Sequence, residues 1–222
     1  MKKWFSLLLA LTMALSLAAC GAGNTSGPQE SQPGSAVSET PAPAEPDAAP
    51  ETPEEGDAPY TLVAYFSATG NTEGVAELLQ TALDADLYEI VPEVAYTSED
   101  LNYSSDDCRA NREQNDPDAR PAIDGSVENM DSYDVIFLGY PIWWGQAPKV
   151  IYTFLESCDF GDATIVPFCT SGSSGIGSSA DGLQELTENT RWLDGQRFSG
   201  SASQNTVASW VQGLDLPESS PV

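Results

Sequence analysis

The 222-residue chain contains no histidine. That absence excludes Ser-His-Asp and Cys-His catalysis, histidine-ligated zinc and a histidine general base. Basic side chains are scarce too: eight Lys and Arg stand against 34 Asp and Glu, a formal charge of −26. A field of that sign repels nucleic acid and anionic lipid headgroups and favours basic docking partners. Of the four cysteines, Cys108, Cys158 and Cys169 form no Cys-x-x-Cys pattern, so neither a metal knuckle nor a thioredoxin-type couple is signalled. They read as small buried apolar residues. Redox or transfer chemistry would then come largely from a bound cofactor, with no catalytic side chain and no metal.

The one extended apolar run lies at the N-terminus. Lys2 and Lys3 precede the apolar stretch Trp4 to Leu17, which ends in Leu17-Ala18-Ala19-Cys20. The run is shorter than the about 20 residues a spanning helix needs, and it reads as an export leader over residues 1–19. The Leu-Ala-Ala-Cys ending resembles a bacterial lipoprotein signal, which implies acylation of the Cys20 thiol; an uncleaved anchor or ordinary secretion is the alternative. Either way the expected location is outside the cytoplasm, at a bacterial membrane through a lipid on Cys20. Residues 20–59 then form a tether, in which the stretch 21–59 holds eight of the sixteen prolines, eight acids, no aromatic residue and no Lys or Arg. Such a composition cannot bury enough apolar surface to offset its ordering entropy, and its charge and prolines extend it.

Residues 60–222 amount to one domain, with six basic and 26 acidic side chains and a formal charge of −20. Leu62–Phe66 is a continuous apolar run, the pattern of a parallel strand buried on both faces, and further strands are predicted at Leu87–Val91, Asp134–Gly139, Thr164–Cys169 and Trp192–Phe198. Pro167 lacks a ladder donor, so regular pairing should weaken there. Helices are predicted between them: one with Val75, Leu79, Ala82 and Leu83 inward, and one after Pro148 with Val150, Ile151, Phe154 and Leu155 inward. A third carries Leu183 and Leu186, and a terminal one spans Thr206 to Leu214. This alternation means a parallel sheet covered on both faces, and ligands bind such sheets at the carboxyl ends of the strands.

Three loops at those ends are unusual. Ser67-Ala68-Thr69-Gly70-Asn71-Thr72 offers hydroxyls, a glycine and a helix N-terminus, enough to surround a phosphate without a cation. It lacks the Gly-Lys-Ser/Thr of a triphosphate loop and the Gly-x-Gly-x-x-Gly of a dinucleotide turn, so a monophosphate ester suits it. The other reading is a plain helix cap, with Thr or Asn satisfying free amides. Pro141-Ile142-Trp143-Trp144-Gly145 presents two indoles that could face a planar ring, unless one packs as core. Thr170-Ser171-Gly172-Ser173 supplies main-chain N–H groups suited to a polar ring edge, and reads otherwise as a surface turn.

With "YFSATGNT" at 65–72, "DVIFLGYPIWWG" at 134–145 and "PFCTSGSSGIG" at 167–177, residues 60–213 resemble the flavodoxins, and "DLNYSSDDCRANREQNDPDARP" at 100–121 is similar to an insertion of the lipoprotein-associated group. The resemblance implies an α/β, flavodoxin-like, doubly wound sheet of five parallel strands in the order 2-1-3-4-5 and noncovalent FMN. Carried onto matching positions, Ser67, Ala68, Thr69, Gly70, Asn71 and Thr72 would hold the phosphate, Pro141, Ile142, Trp143, Trp144 and Gly145 the ribityl side and one ring face, and Thr170, Ser171, Gly172 and Ser173 the pyrimidine edge. The third loop departs from the family in having no tyrosine to cover the outer ring face. The long polar stretch 92–130, with Tyr96, Tyr103, Arg109, Arg112 and Arg120, could supply such a cover; its acids Asp106, Asp107, Glu113 and Asp116 favour a solvated loop with internal ion pairs instead. The expected function is electron transfer through FMN to a basic redox partner. The alternatives are an FMN-dependent NAD(P)H:quinone-type oxidoreductase, in which those arginines would meet the dinucleotide phosphates, and a non-catalytic module binding a phosphate-bearing ligand.

Overall fold

The computed structural model describes residues 59–217, so the leader, Cys20 and all but the last residue of the tether lie outside the described residues. Strand β1 (Thr61–Tyr65) is buried at every position because it is central: β2 (Asp86–Glu89) pairs with one edge and β5 (Val135–Pro141) with the other, both in parallel. Strand β6 (Thr164–Thr170) continues the sheet beyond β5, and β7 (Arg191–Trp192) and β8 (Gln196–Phe198) share its outer edge. Counting β7 and β8 as one interrupted strand, the main strands run 2-1-3-4-5, the expected flavodoxin-like order.

The interruption has a local cause. Leu193 N–H donates to the Ile165 carbonyl and Ser171 N–H to Phe198, so the odd-numbered residues of β6 turn their backbone groups toward this edge. Pro167 is among them and has no N–H to offer. The register shifts by one residue across it, from Ile165 opposite Trp192 to Phe168 opposite Gln196. A side chain at Gly195 would lie 2.7 Å from the Pro167 carbonyl oxygen, so the bulge needs glycine there.

Alternation along the strands divides the interior into two layers. Leu62, Ala64, Ile136, Leu138, Tyr140 and Ile165 face helix α3 (Lys149–Glu156), whose Val150, Ile151, Phe154 and Leu155 are all buried, as their spacing predicts. Val63, Tyr65, Val135, Phe137, Val166 and Phe168 face α1 (Asn71–Leu83) and α5 (Gln204–Val211). The inner stripe of α1 is Thr72, Val75, Ala76 and Leu79, so Ala82, expected inside, is exposed. Helix α5 begins earlier than expected because Ser203 Oγ accepts the Thr206 N–H as an N-cap. The helix expected around Leu183 and Leu186 shortens to α4 (Asp181–Gln184), with Leu183 alone inside it.

The stretch 92–130 holds α2 (Arg109–Asn115), and β4 (Ile123–Asp124) pairs antiparallel with β3 (Val91–Pro92). A short 3-10 turn, Met130–Ser132, leads into β5. Among the described residues, no helix is long and apolar enough to cross a membrane.

Gly139 lies on β5 directly under the fully buried Phe168 ring, and a methyl group there would overlap that ring. Gly139→Ala is expected to cost about 1–3 kcal/mol, the usual penalty of overpacking. A lowered urea midpoint checks this; an unchanged midpoint would mean that the ring moves aside freely.

Candidate functional site

The carboxyl ends of β1, β5, β6 and β8 converge on one cavity of about 450 Å³. That volume lies within the range of small-molecule sites. Its walls contain no Lys, Arg, Asp or Glu side chain, although the chain as a whole is strongly acidic.

The first wall is the loop between β1 and α1. Ala68, Thr69, Asn71 and Thr72 line it. Gly70 is the N-cap of α1, with φ +81°, a conformation that glycine adopts without strain. No side chain caps the helix, so neither Thr nor Asn plays the part a plain cap requires. Asn71 Nδ2 donates to Thr69 Oγ1 at 2.9 Å, and the Thr72 hydroxyl shares a buried 2.8 Å hydrogen bond with that of Thr170. Ser67 Oγ is buried and has no partner. A buried hydroxyl without a partner costs about 1–3 kcal/mol, so this loop is left with capacity to bind an acceptor.

The second wall follows β5. Trp143 and Gln146 exchange N–H···O bonds of 3.0 and 2.9 Å around Trp144 and Gly145, both at positive φ (47° and 79°). This is a type I′ turn, and Trp144 is a bulky residue in a region L-amino acids seldom adopt. The two indoles divide the roles the sequence left open. Trp143, 4% exposed, packs edge-on against Phe66 and Tyr96 as part of the core while still lining the cavity with Pro141 and Ile142. Trp144, 41% exposed, lies on Tyr103 with ring centroids 4.5 Å apart.

The third wall is Thr170, Ser171 and Gly172. The Ile142 N–H donates to the Thr170 carbonyl, joining this wall to the second. Arg197 reaches it from β8: Nε donates to Ser171 Oγ at 3.2 Å and Nη2 to the Ser171 carbonyl. In a trans peptide the Gly172 N–H points away from that carbonyl, and so away from the arginine. Among the described residues, Arg197 is the one basic side chain hydrogen-bonded to a residue of the cavity wall.

Of the residues singled out from sequence, Ser67, Gly70, Trp144, Gly145 and Ser173 do not line the cavity; all but Gly145 directly follow or precede a residue that does. Three lining residues are not among those the sequence singles out. Ser199 and Gly200 directly follow β8, and Gly200 packs so closely on Asn71 that any side chain there would overlap the amide. Their Ser-Gly-Ser sequence at a strand's carboxyl end was a readable signal. Leu101 comes from the stretch 92–130, where nothing in the sequence marks it, whereas Tyr103, from the same stretch, is one of the tyrosines named above as a possible ring cover.

That stretch departs from the solvated loop its acids suggest. The Arg109–Glu113 ion pair is internal, as expected, at 2.7 Å. It serves to clamp Tyr96, whose hydroxyl donates to Glu113 and whose ring lies 4.0 Å beneath the Arg109 guanidinium. Tyr96 in turn packs against Phe66 and Trp143, so the insertion is part of the site's support. The Cys169 thiol, at the end of β6, is pushed up to about 12 by burial, against which the Arg197 charge acts. It stays protonated at neutral pH and supplies no thiolate nucleophile.

The profile of the family described as Flavodoxin matches residues 60–214. Among solved structures, a candidate flavoprotein from Bacteroides eggerthii DSM 20697 is 44% identical, covering 69% of this chain and 96% of its own, with a TM-score of 0.65. A candidate flavoprotein from Bacteroides uniformis ATCC 8492 is 41% identical, covering 70% of this chain and 99% of its own, with a TM-score of 0.66. The fold is also that of a flavoprotein in complex with FMN from Lactobacillus acidophilus NCFM, 24% identical over 63% of this chain and 93% of that one, with a TM-score of 0.54. No curated protein matches the chain.

Seven phenols, those of Tyr65, Tyr88, Tyr96, Tyr103, Tyr133, Tyr140 and Tyr152, are held above the usual tyrosine range, in each case chiefly by burial. Glu113 adds to this at Tyr96, Asp86 at Tyr133 and Glu89 at Tyr65, which reaches about 12; Tyr140 is raised by burial against an opposing hydrogen bond from Ser179. Unfolded tyrosines ionise near pH 10, so above that pH the unfolded chain releases protons that the folded chain keeps. Stability from these groups is full below about pH 10 and is lost as pH rises toward the folded values. The urea midpoint is expected to fall between about pH 9.5 and 11.5; a flat profile would contradict this.

Proposed function

The chain belongs to the flavodoxin family, and from that premise we propose that its domain binds FMN and works as an electron-transfer protein. The observation that carries this reading is the cation-free loop 67–72, with the unpartnered Ser67 hydroxyl beside a helix N-terminus that no side chain caps. Neutral donors and a helix dipole suit a monophosphate, and the FMN complex of the Lactobacillus acidophilus flavoprotein gives such a ligand a precedent in this fold.

The donor set matches the rest of the molecule in kind. Ser67, Thr69, Thr72 and the first amides of α1 would hold the phosphate, and Asn71, locked by Gly200, would keep the loop closed. Ile142 and the two tryptophans would flank the ring system. The Thr170–Gly172 main chain, held from behind by Arg197, would meet the one polar edge of the ring. Bound FMN supplies the redox chemistry, accepting electrons from one partner and passing them to another. The chain's own part is to bind, orient and exclude water, since no charged side chain lines the cavity. The acidic surface disfavours added negative charge on the flavin and would lower its potential.

The placement of the arginines favours a carrier over an NAD(P)H-linked reductase. Arg109 is engaged with Glu113 and Tyr96, Arg112 with the Asp107 carbonyl and Arg120 with Glu156. None lines the cavity, and each is already engaged, so none is offered to a dinucleotide phosphate beside it. Part of the same proposal is that a lipid on Cys20 holds the protein outside the cytoplasm.

Steady-state assays of the purified, FMN-loaded protein with NADH or NADPH and a quinone test the carrier reading. The expected result is no oxidation above that given by free FMN, together with ready reduction by a one-electron donor. Sustained turnover would overturn it.

A further inference from the structure

The least comfortable backbone at the site is the Trp144–Gly145 turn, where a bulky residue is held at φ +47°. Such a conformation persists only when its surroundings over-determine it. Three contacts do so, and all come from the insertion. Tyr103 covers the Trp144 ring, and Tyr96, clamped by Arg109 and Glu113 of α2, fixes Trp143. Gln114, the next residue of α2, places its Nε2 3.1 Å from the Trp143 carbonyl and 3.2 Å from that of Ala147. Those carbonyls flank the turn, so a single amide group ties its two ends together. The orientation of the amide is determined: reversed, it would set its oxygen against two carbonyl oxygens. The Gln114 Oε1 that results is buried without a partner, a cost borne to keep the two donated bonds.

We infer that Gln114 is a positioning residue, through which the insertion holds the Trp144–Gly145 turn in its left-handed form and so builds the ring side of the FMN site. This rests on the FMN reading above for its ligand, but it concerns the ring wall rather than the phosphate loop. The two parts can be separated, because riboflavin has the ring system of FMN without the phosphate.

The test compares Gln114→Leu, which keeps the bulk and loses both donors, with Gln114→Glu, which recovers one O–H donor only when protonated. Affinities for FMN and riboflavin are read from quenching of flavin fluorescence in the purified full-length protein. Gln114→Leu is expected to weaken both ligands by the same factor, about tenfold, leaving their ratio as in the wild type. Gln114→Glu is expected to match it at neutral pH and to recover part of the loss as pH falls through the carboxylate range. Unchanged affinities, or a loss confined to FMN, would overturn the inference. If Gln114→Leu does not fold, the pH-dependent recovery of Gln114→Glu decides the matter alone. Wild-type protein that binds neither flavin would sink the FMN reading instead. The turn is then judged in ligand-free protein, where acrylamide should quench tryptophan fluorescence more strongly in the folded variant than in the wild type, and equal quenching would overturn the inference.

Discussion

A single buried hydrogen bond joins the two halves of the site. The Thr72 and Thr170 hydroxyls meet at 2.8 Å, linking the start of α1 to the end of β6 across the covered end of the sheet. Thr72 occupies the inner stripe of α1 with Val75, Ala76 and Leu79, so the packing that seats the helix also sets this hydroxyl. Thr170 is the last residue of β6, and its carbonyl accepts the Ile142 N–H from the tryptophan loop. Phosphate loop, ring wall and polar wall therefore share one register. Loss of either hydroxyl would leave the other buried and unpaired, the costly way to break such a bond.

Much of this was legible in the residues. Continuous apolar runs marked β1, β5 and β6 because a parallel strand covered on both faces has no polar side to show. Pro167 announced the broken edge, since a missing N–H in a strand has to face a place where the ladder stops. The phosphate loop was readable because its chemistry is local: a strand end, hydroxyls, a glycine and a helix start are adjacent in the chain. The roles of Trp143 and Trp144 were not, because neighbouring indoles on a tight turn look alike until the turn's handedness is known.

The insertion was misread for a physical reason. Its acids and arginines look like a solvated loop in composition, yet the Arg109–Glu113 pair spends its hydrogen bonds and its charge on Tyr96. Leu101 and Gln114 gain their significance only from contacts with residues about thirty or more positions away, which no local pattern records. Ser199 and Gly200 lie between these cases. They obey the rule that ligands gather at strand carboxyl ends, but the strand that brings them there is interrupted and hard to recognise.

The central claim is that an acidic domain holds a monophosphate through neutral donors and a helix terminus, with no cation in the cavity. The most direct measurement is the affinity of the purified ligand-free protein for FMN relative to riboflavin, by equilibrium fluorescence titration. FMN should bind about a hundredfold more tightly, the worth of roughly two charge-assisted hydrogen bonds at about 1.5 kcal/mol each. Equal affinity for the two flavins would contradict the account.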